Sequence, residues 1–214
     1  MLVPVPDYLR QPPAYFHTRI LVGPGAYLTP KFVYERGITH VINCAFPGDS
    51  PGWFQTKYPN QYTCLSAPDT NQHCILDWYP TFEQTLFSYL RSPGTGVVYV
   101  HCQAGINRSA FLALAYVCSR FHMDGETMLE AFKRQRPCMF QNSVYRGQVM
   151  TFLNGCLSRA ENPGSALRNT GNGNSGLSAS GRGANLTRLD VDTGGAPDGG
   201  GPSEIGNFRP LCEE

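Results

Sequence analysis

No CxxC pair and no metal-ligand cluster occurs among the eight cysteines of this chain, which excludes the common zinc-ribbon and dithiol redox motifs. Charge of one sign is missing too: 17 Lys and Arg against 16 Asp and Glu leave a net +1, so the chain as a whole carries no polyanion-binding signal. No apolar run approaches the ~20 residues that span a membrane. Met1-Leu2-Val3-Pro4 has neither the basic nor the apolar region of a signal peptide. Free thiols at irregular spacing then point to a reducing intracellular compartment, cytoplasm or nucleus. Aromatic residues nearly vanish after Ala160. Residues 161–214 hold only Phe208, together with 12 of the 23 glycines, too little apolar surface to offset the ordering of the chain. The expected organisation is an extended Pro-rich segment over 1–13, one folded domain over 14–160 and a disordered tail over 161–214.

The folded part is organised around VVYVHCQAGINRSAFLALAYVCSR, Val97 to Arg120. Val97 to Val100 is a β-branched run of the kind that forms a buried strand, and Ala110 to Val117 is an apolar run of helical length. The short loop between them points backbone N–H groups at one spot, and the helix dipole adds positive charge there, so an anion is the expected occupant. Cys102 stands at the start of that loop and Arg108 at its end. The thiolate is the nucleophilic form of cysteine, and a helix N-terminus with a nearby cation favours it. Gly105 allows a tight turn and close backbone approach. Arg108 can hold two phosphate oxygens at once, which Lys cannot. Ser109 is placed to donate a hydrogen bond to the sulfur as it leaves. The chemistry suggested is attack of sulfur on a phosphoryl group, with Gln103, Ala104, Gly105, Ile106, Asn107 and Arg108 as the phosphate-binding loop.

HCQAGINRS matches the HCxxGxxR[ST] signature of the cysteine-dependent protein tyrosine phosphatase superfamily, and its Ala-Gly pair and Arg-Ser ending most resemble the dual-specificity phosphatases. Asn107 departs from the Ser found in many of these enzymes and is also seen in RNA 5′-phosphatases, whose loop runs HCxHGxNRTG. Ala104 and Ser109 in place of that His and Thr favour the protein phosphatases. The resemblance runs on through GITHVINCA, APDTNQ, MDGETMLEAFKRQRP and QNSVYRGQ. The last is similar to the family segment PNxGFxxQ, with Gln141 in place of Pro and a departure from the Gly-Phe pair that involves Tyr145. It covers roughly residues 14–158.

Along the chain, the pattern predicts strands at 19–22, 38–44, 62–67 and 97–100. Helices are predicted from Pro30 (capped by Thr29) to Arg36, from Leu76 to Leu90, after the catalytic loop, from Asp124 to Arg136 and from Val144 to Leu157. Residues 45–59, with three prolines, read as a loop. Strands alternating with helices imply a single α/β domain with a central, mostly parallel sheet flanked by helices, the protein tyrosine phosphatase-like architecture that the resemblance also implies.

A leaving alkoxide or phenoxide needs a proton from a second loop. Asp69 in APDT matches the family's acid by position and is preferred to Asp77, whose place at the opening of a helix explains a carboxylate by itself. His101 reads as an orienting group near the loop backbone, and Asn142 either as a brace for the loop or as a plain helix N-cap. In phosphoinositide-directed relatives a cysteine in an NLCA-like segment serves as a resolving thiol. INCA resembles it, so Cys44 is a candidate redox partner of Cys102, the other reading being a small apolar core residue; Cys64 and Cys74 are weaker candidates.

The resemblance implies no metal and no cofactor. Its expected activity is hydrolysis of phosphotyrosine and phosphoserine/threonine in a phosphorylated protein, through a phosphocysteine intermediate. No counterpart of the family's phosphotyrosine-recognition loop precedes the motif, so a shallow pocket open to all three residues is expected. Residues 1–160 carry 13 basic and 9 acidic side chains, a mildly basic domain that suits such a substrate. Two other classes stand beside this one. The first is an RNA 5′-phosphatase or phosphoinositide phosphatase; no basic-aromatic stripe supports RNA, and no lysine stands at Gln103 or Ile106 as in lipid-directed relatives. The second is an inactive phosphate-binding module.

Overall fold

The computed structural model describes residues 6–161, and the expected tail lies outside the described residues apart from Glu161. Five strands form one sheet: β1 (Ala14–His17), β2 (Ile20–Pro24), β3 (Ile38–Asn43), β4 (Tyr62–Cys64) and β5 (Val97–Cys102). Their spatial order is β1-β2-β5-β3-β4, and every pair is parallel except β1 with β2. Strand β5 is therefore the centre of the sheet. Its residues from Val98 onward are all buried, as a strand covered on both faces requires.

Seven α-helices accompany the sheet among the described residues: α1 (Asp7–Arg10), α2 (Pro30–Glu35), α3 (Trp53–Lys57), α4 (Tyr79–Arg91), α5 (Arg108–Phe121), α6 (Gly125–Gln135) and α7 (Ser143–Glu161). Helix α5 is buried on every side from Arg108 to Cys118, packed against the sheet on one face and α4, α6 and α7 on the others. A helix apolar all round has no other stable place. On the opposite face Leu21, Leu28, Ile38, Val41, Phe54 and Tyr99 form a second core cluster.

Local signals hold where they are strong. Thr29 accepts from the Phe32 N–H to start α2, and Asp124 accepts from the Thr127 N–H to start α6. Several expectations need correction. Strand β1 does not appear in the sequence reading: four residues are too short for a pattern. It forms because Ala14 and Phe16 turn inward, Phe16 stacking on Phe132 at 3.7 Å, while its backbone pairs with β2. The strand expected over 19–22 runs on to Pro24, with Gly23 and Pro24 paired with His101 and Cys102 of β5. The 45–59 segment contains a 3₁₀ turn and α3. Residues 7–10 of the supposedly extended N-terminal segment form a helical turn, whose Tyr8 carbonyl accepts from Arg136.

The strand expected over 62–67 stops at Cys64. Leu65 still donates to the Asn43 carbonyl, but Ser66 turns to φ +53 and the chain leaves the pleat. A loop follows, from Leu65 to Cys74, and it carries Asp69. Both this loop and the one after β5 emerge at the carboxyl edge of the parallel strands, where open α/β sheets bind their ligands.

Candidate active site

Strand β5 ends on Cys102, α5 begins on Arg108, and Gln103-Ala104-Gly105-Ile106-Asn107 make the turn between them. Gly105 has φ +64, and a Cβ on it would lie 2.2 Å from the Gly23 carbonyl carbon, so the loop is packed directly on the end of β2. Asn107 occupies the N-cap position of α5 yet makes no capping bond. Its Oδ1 instead accepts from the Gln141 and Asn142 N–H groups at 3.1 and 3.0 Å. The first amides of α5 are thus left without a side-chain cap, and partial positive charge collects there for an anion to meet.

The side chains converge on the same spot. Cys102 is 1% exposed, and the Ser109 hydroxyl donates to its sulfur at 3.3 Å. Arg108 is buried, its Nη1 donating to the Ala67 carbonyl at 2.9 Å. Its Nε lies 3.5 Å from Asp69 Oδ2 in an ion pair but has no hydrogen-bond partner among the described residues. Asp69 is one-third exposed at its side chain, facing both Arg108 and water. Asp77 sits in the 3₁₀ turn that leads into α4 and forms no ion pair with Arg108.

His101 is fully buried, with its Nδ1 3.4 Å from the Cys102 carbonyl and its ring stacked on Tyr99. Burial lowers its pKa to about 4, so it is a neutral ring under the loop. Asn142 does not reach the loop with its side chain. Its Oδ1 caps α7 by accepting from Val144 and Tyr145, and its Nδ2 donates to Asn71 Oδ1; only its backbone N–H meets the loop, at Asn107. Cys44 follows Asn43, which is paired with His101, and its N–H donates to the His101 carbonyl at 2.7 Å. The β3–β5 register therefore continues to Cys44 beside Cys102. Burial and the neighbouring Cys102 push the Cys44 thiol pKa well up. Cys64 donates to the Ala45 carbonyl.

Two contributors escaped the sequence reading. Arg136 is fully buried and donates to the carbonyls of Ala104 and Gly105 on the back of the loop and to Tyr8. In RQRP it looks like an ordinary basic helix end; the following proline, which stops α6 and leaves the side chain to turn inward, is the only local sign. Tyr145 is also buried, and its hydroxyl touches the backbone on both sides of Asp69. A single tyrosine in a helical pattern reads as core.

A thiol over an uncapped helix N-terminus, a guanidinium, a hydroxyl on the sulfur and a carboxyl at the mouth can carry out nucleophilic displacement at phosphorus with proton transfer to the leaving oxygen. Among the described residues no group of three or more His, Cys, Asp and Glu side chains is placed to hold a metal ion.

The family described as "Dual specificity phosphatase, catalytic domain" matches residues 21–154. Dual specificity protein phosphatase 4 of Gallus gallus is 31% identical over 140 residues, 63% of this chain and 36% of that protein. Dual specificity protein phosphatase 1 of Homo sapiens is 30% identical over 140 residues, again 63% of this chain and 36% of that protein. The chain thus spans about a third of the length of these curated relatives. The crystal structure of DUSP15 superposes with a TM-score of 0.58 over 71% of this chain and 96% of that one, at 21% identity, a likeness of fold.

Proposed function

The chain belongs to the dual specificity phosphatase family, and from that premise we propose that it is a phosphoprotein phosphatase hydrolysing phosphotyrosine and phosphoserine/threonine through a phosphocysteine intermediate. The observation that carries this reading is the Arg108–Asp69 pair at 3.5 Å: the guanidinium suited to hold the phosphate also holds the carboxyl suited to protonate its leaving group.

In the first step the Cys102 thiolate attacks phosphorus, an S–P bond forms and the P–O bond to the substrate breaks. Asp69, in its acid form, gives its proton to the departing oxygen. In the second step the Asp69 carboxylate takes a proton from water, the water oxygen attacks phosphorus and the S–P bond breaks. The Ser109 hydroxyl, 3.3 Å from the sulfur, stabilises the thiolate as it leaves. Arg108 and the uncapped N–H groups of α5 hold the phosphoryl oxygens while charge builds on them. His101, neutral and buried, supports the floor of the loop.

Ala104 and Ser109, in place of the His and Thr of the RNA 5′-phosphatase loop, support a protein substrate over RNA, while Asn107 braces the loop against Gln141 and Asn142. The presence of Cys102, Arg108 and Asp69 together speaks against an inactive module. The test is phosphate release from phosphotyrosyl and phosphothreonyl peptides, with a phosphoinositide panel and triphosphate-ended RNA as separate arms. Release confined to the lipids or the RNA overturns the reading.

The β3–β5 register favours a second reading, reversible oxidation. Neighbouring strands lie ~4.7–4.9 Å apart, within the ~4.4–6.8 Å Cα separation of disulfides. Peroxide converts the Cys102 thiolate to sulfenic acid; the Cys44 thiol then attacks that sulfur, an S–S bond forms and water leaves. Mild peroxide followed by thiol should restore activity in the wild type and much less in Cys44→Ser, with a Cys44–Cys102 peptide recovered before reduction. Equal recovery without that peptide removes the idea.

A further inference from the structure

Tyr145 stands at the Phe position of the PNxGFxxQ-like segment QNSVYRGQ, so this chain carries one phenolic oxygen where that pattern has none. The oxygen is fully engaged. Its one hydrogen is shared between the Pro68 carbonyl at 3.1 Å and the Thr70 carbonyl at 3.2 Å, and the oxygen accepts from the Thr70 N–H at 3.1 Å. Pro68 and Thr70 are the residues on either side of Asp69. The loop they belong to has no strand or helix of its own to fix it. Its start is tied by Arg108 at the Ala67 carbonyl and by the Leu65, Ser66 and Ala67 N–H groups, which donate to the carbonyls of Asn43, Ala45 and Cys44. Beyond that, its support comes from α7 and its cap. Asn142 Nδ2 donates to Asn71 Oδ1, and Gln148 Oε1 accepts from the Ile75 N–H, both at 3.0 Å. Residues 142, 145 and 148 recur every three positions and so run along one side of the helix. The middle one reaches the peptide units that carry the acid.

Packing alone does not require the hydroxyl. The Tyr145 ring meets Phe111 edge to face in the core, as a phenylalanine ring does equally well. Burial and the nearby Asp69 carboxylate raise the phenol pKa, so it remains a neutral donor. We propose that the Tyr145 hydroxyl is a positioning group for the general acid, holding the peptide units before and after Asp69 so that its carboxyl stays against Arg108 and the leaving oxygen. This rests on the phosphatase reading given above. A carboxyl displaced by even a fraction of an ångström delivers its proton less well, and the loss falls on substrates that need the proton most.

The test is Tyr145→Phe in the full chain, which keeps the ring and removes only the oxygen. With phenyl phosphate and a phosphotyrosyl peptide kcat should fall about fivefold, on the scale of one hydrogen bond. The fall with nitrophenyl phosphate should be clearly smaller, and KM should hold. In an Asp69→Asn background Tyr145→Phe should cost little more, since the two changes remove the same contribution. Independently of activity, amide exchange over residues 65–75 should quicken in Tyr145→Phe while β5 and α5 keep their protection. Equal losses for every leaving group, full additivity with Asp69→Asn, or unchanged exchange in the loop would each overturn the proposal. A wild-type protein that releases no phosphate, yet shows the exchange effect, would instead sink the phosphatase reading.

Discussion

The loop from Gln103 to Asn107 and the loop from Leu65 to Cys74 meet at Arg108, and they are held in different ways. The first is short, springs from the central strand and runs straight into the most buried helix, so its ends alone nearly dictate its course. Its backbone is then locked from behind by Gly105 against β2 and by Arg136 on two carbonyls. The second springs from a three-residue edge strand; backbone bonds to residues 43–45 hold it as far as Ala67, and the side chains that hold the rest lie more than 40 residues away, on Arg108, Asn142, Tyr145 and Gln148. On the function proposed above, the group that binds phosphate in a fixed geometry sits on the self-supporting loop, and the group that meets a variable leaving oxygen sits on the tethered one.

The largest effect expected follows from Cys102→Ser, on the self-supporting loop. Turnover should fall by at least ~10⁴-fold, because the nucleophile is gone. Vanadate-like oxyanions should still bind, because the α5 amides and Arg108 remain; turnover near wild type would remove the nucleophile assignment. Asp69→Asn, on the tethered loop, should cost about 10²–10⁴-fold with poor leaving groups and far less with activated aryl phosphates. If Asp77→Asn shows that dependence in its place, the pairing of the two loops at Arg108 has been misread.

Gly105→Ala attacks the self-support itself. A Cβ there would overlap the Gly23 carbonyl at φ +64, and a loss of about 2–4 kcal/mol is expected from the strained backbone and the overpacking together. Urea denaturation measures it; an unchanged midpoint would mean that the loop is not seated on β2.

The smallest effect is a pH dependence. His101 has a folded pKa of about 4 against 6.5 for the free side chain. The unfolded chain binds the extra proton first, so the His101 contribution is complete above pH 6.5 and is lost as pH falls through about 4. The loss should be roughly 2 kcal/mol by about pH 5. His40, also lowered by burial, adds to the slope, and the difference between wild type and His101→Gln isolates the part beneath the loop. A slope unchanged by His101→Gln would show that the ring is not held neutral there.

The same contrast explains how much was legible in the sequence. Cys102, Arg108 and Ser109 lie within eight residues of one another, the helix behind them starts at Arg108, and strand, glycine and helix signals adjoin. Their geometry is local, and the structure brings them together as the spacing implies. Asp69 could be read only through APDT, since its approach to Arg108 depends on contacts with α7 about 75 residues further on. Arg136, Tyr145 and the true task of Asn107 were invisible for the same reason: each acts across the fold through backbone groups, which leave no pattern in side-chain type. Strand β1 and helix α3 were too short for periodicity and owe their form to the surfaces they cover.

The central claim, a covalent intermediate on Cys102, is tested most directly by acid quench during turnover of a phosphotyrosyl substrate, followed by peptide mass mapping. One phosphoryl group on the Cys102 peptide, absent from Cys102→Ser, is the predicted result. Continued turnover with the phosphoryl group on another residue, or with none trapped at any time point, would contradict it.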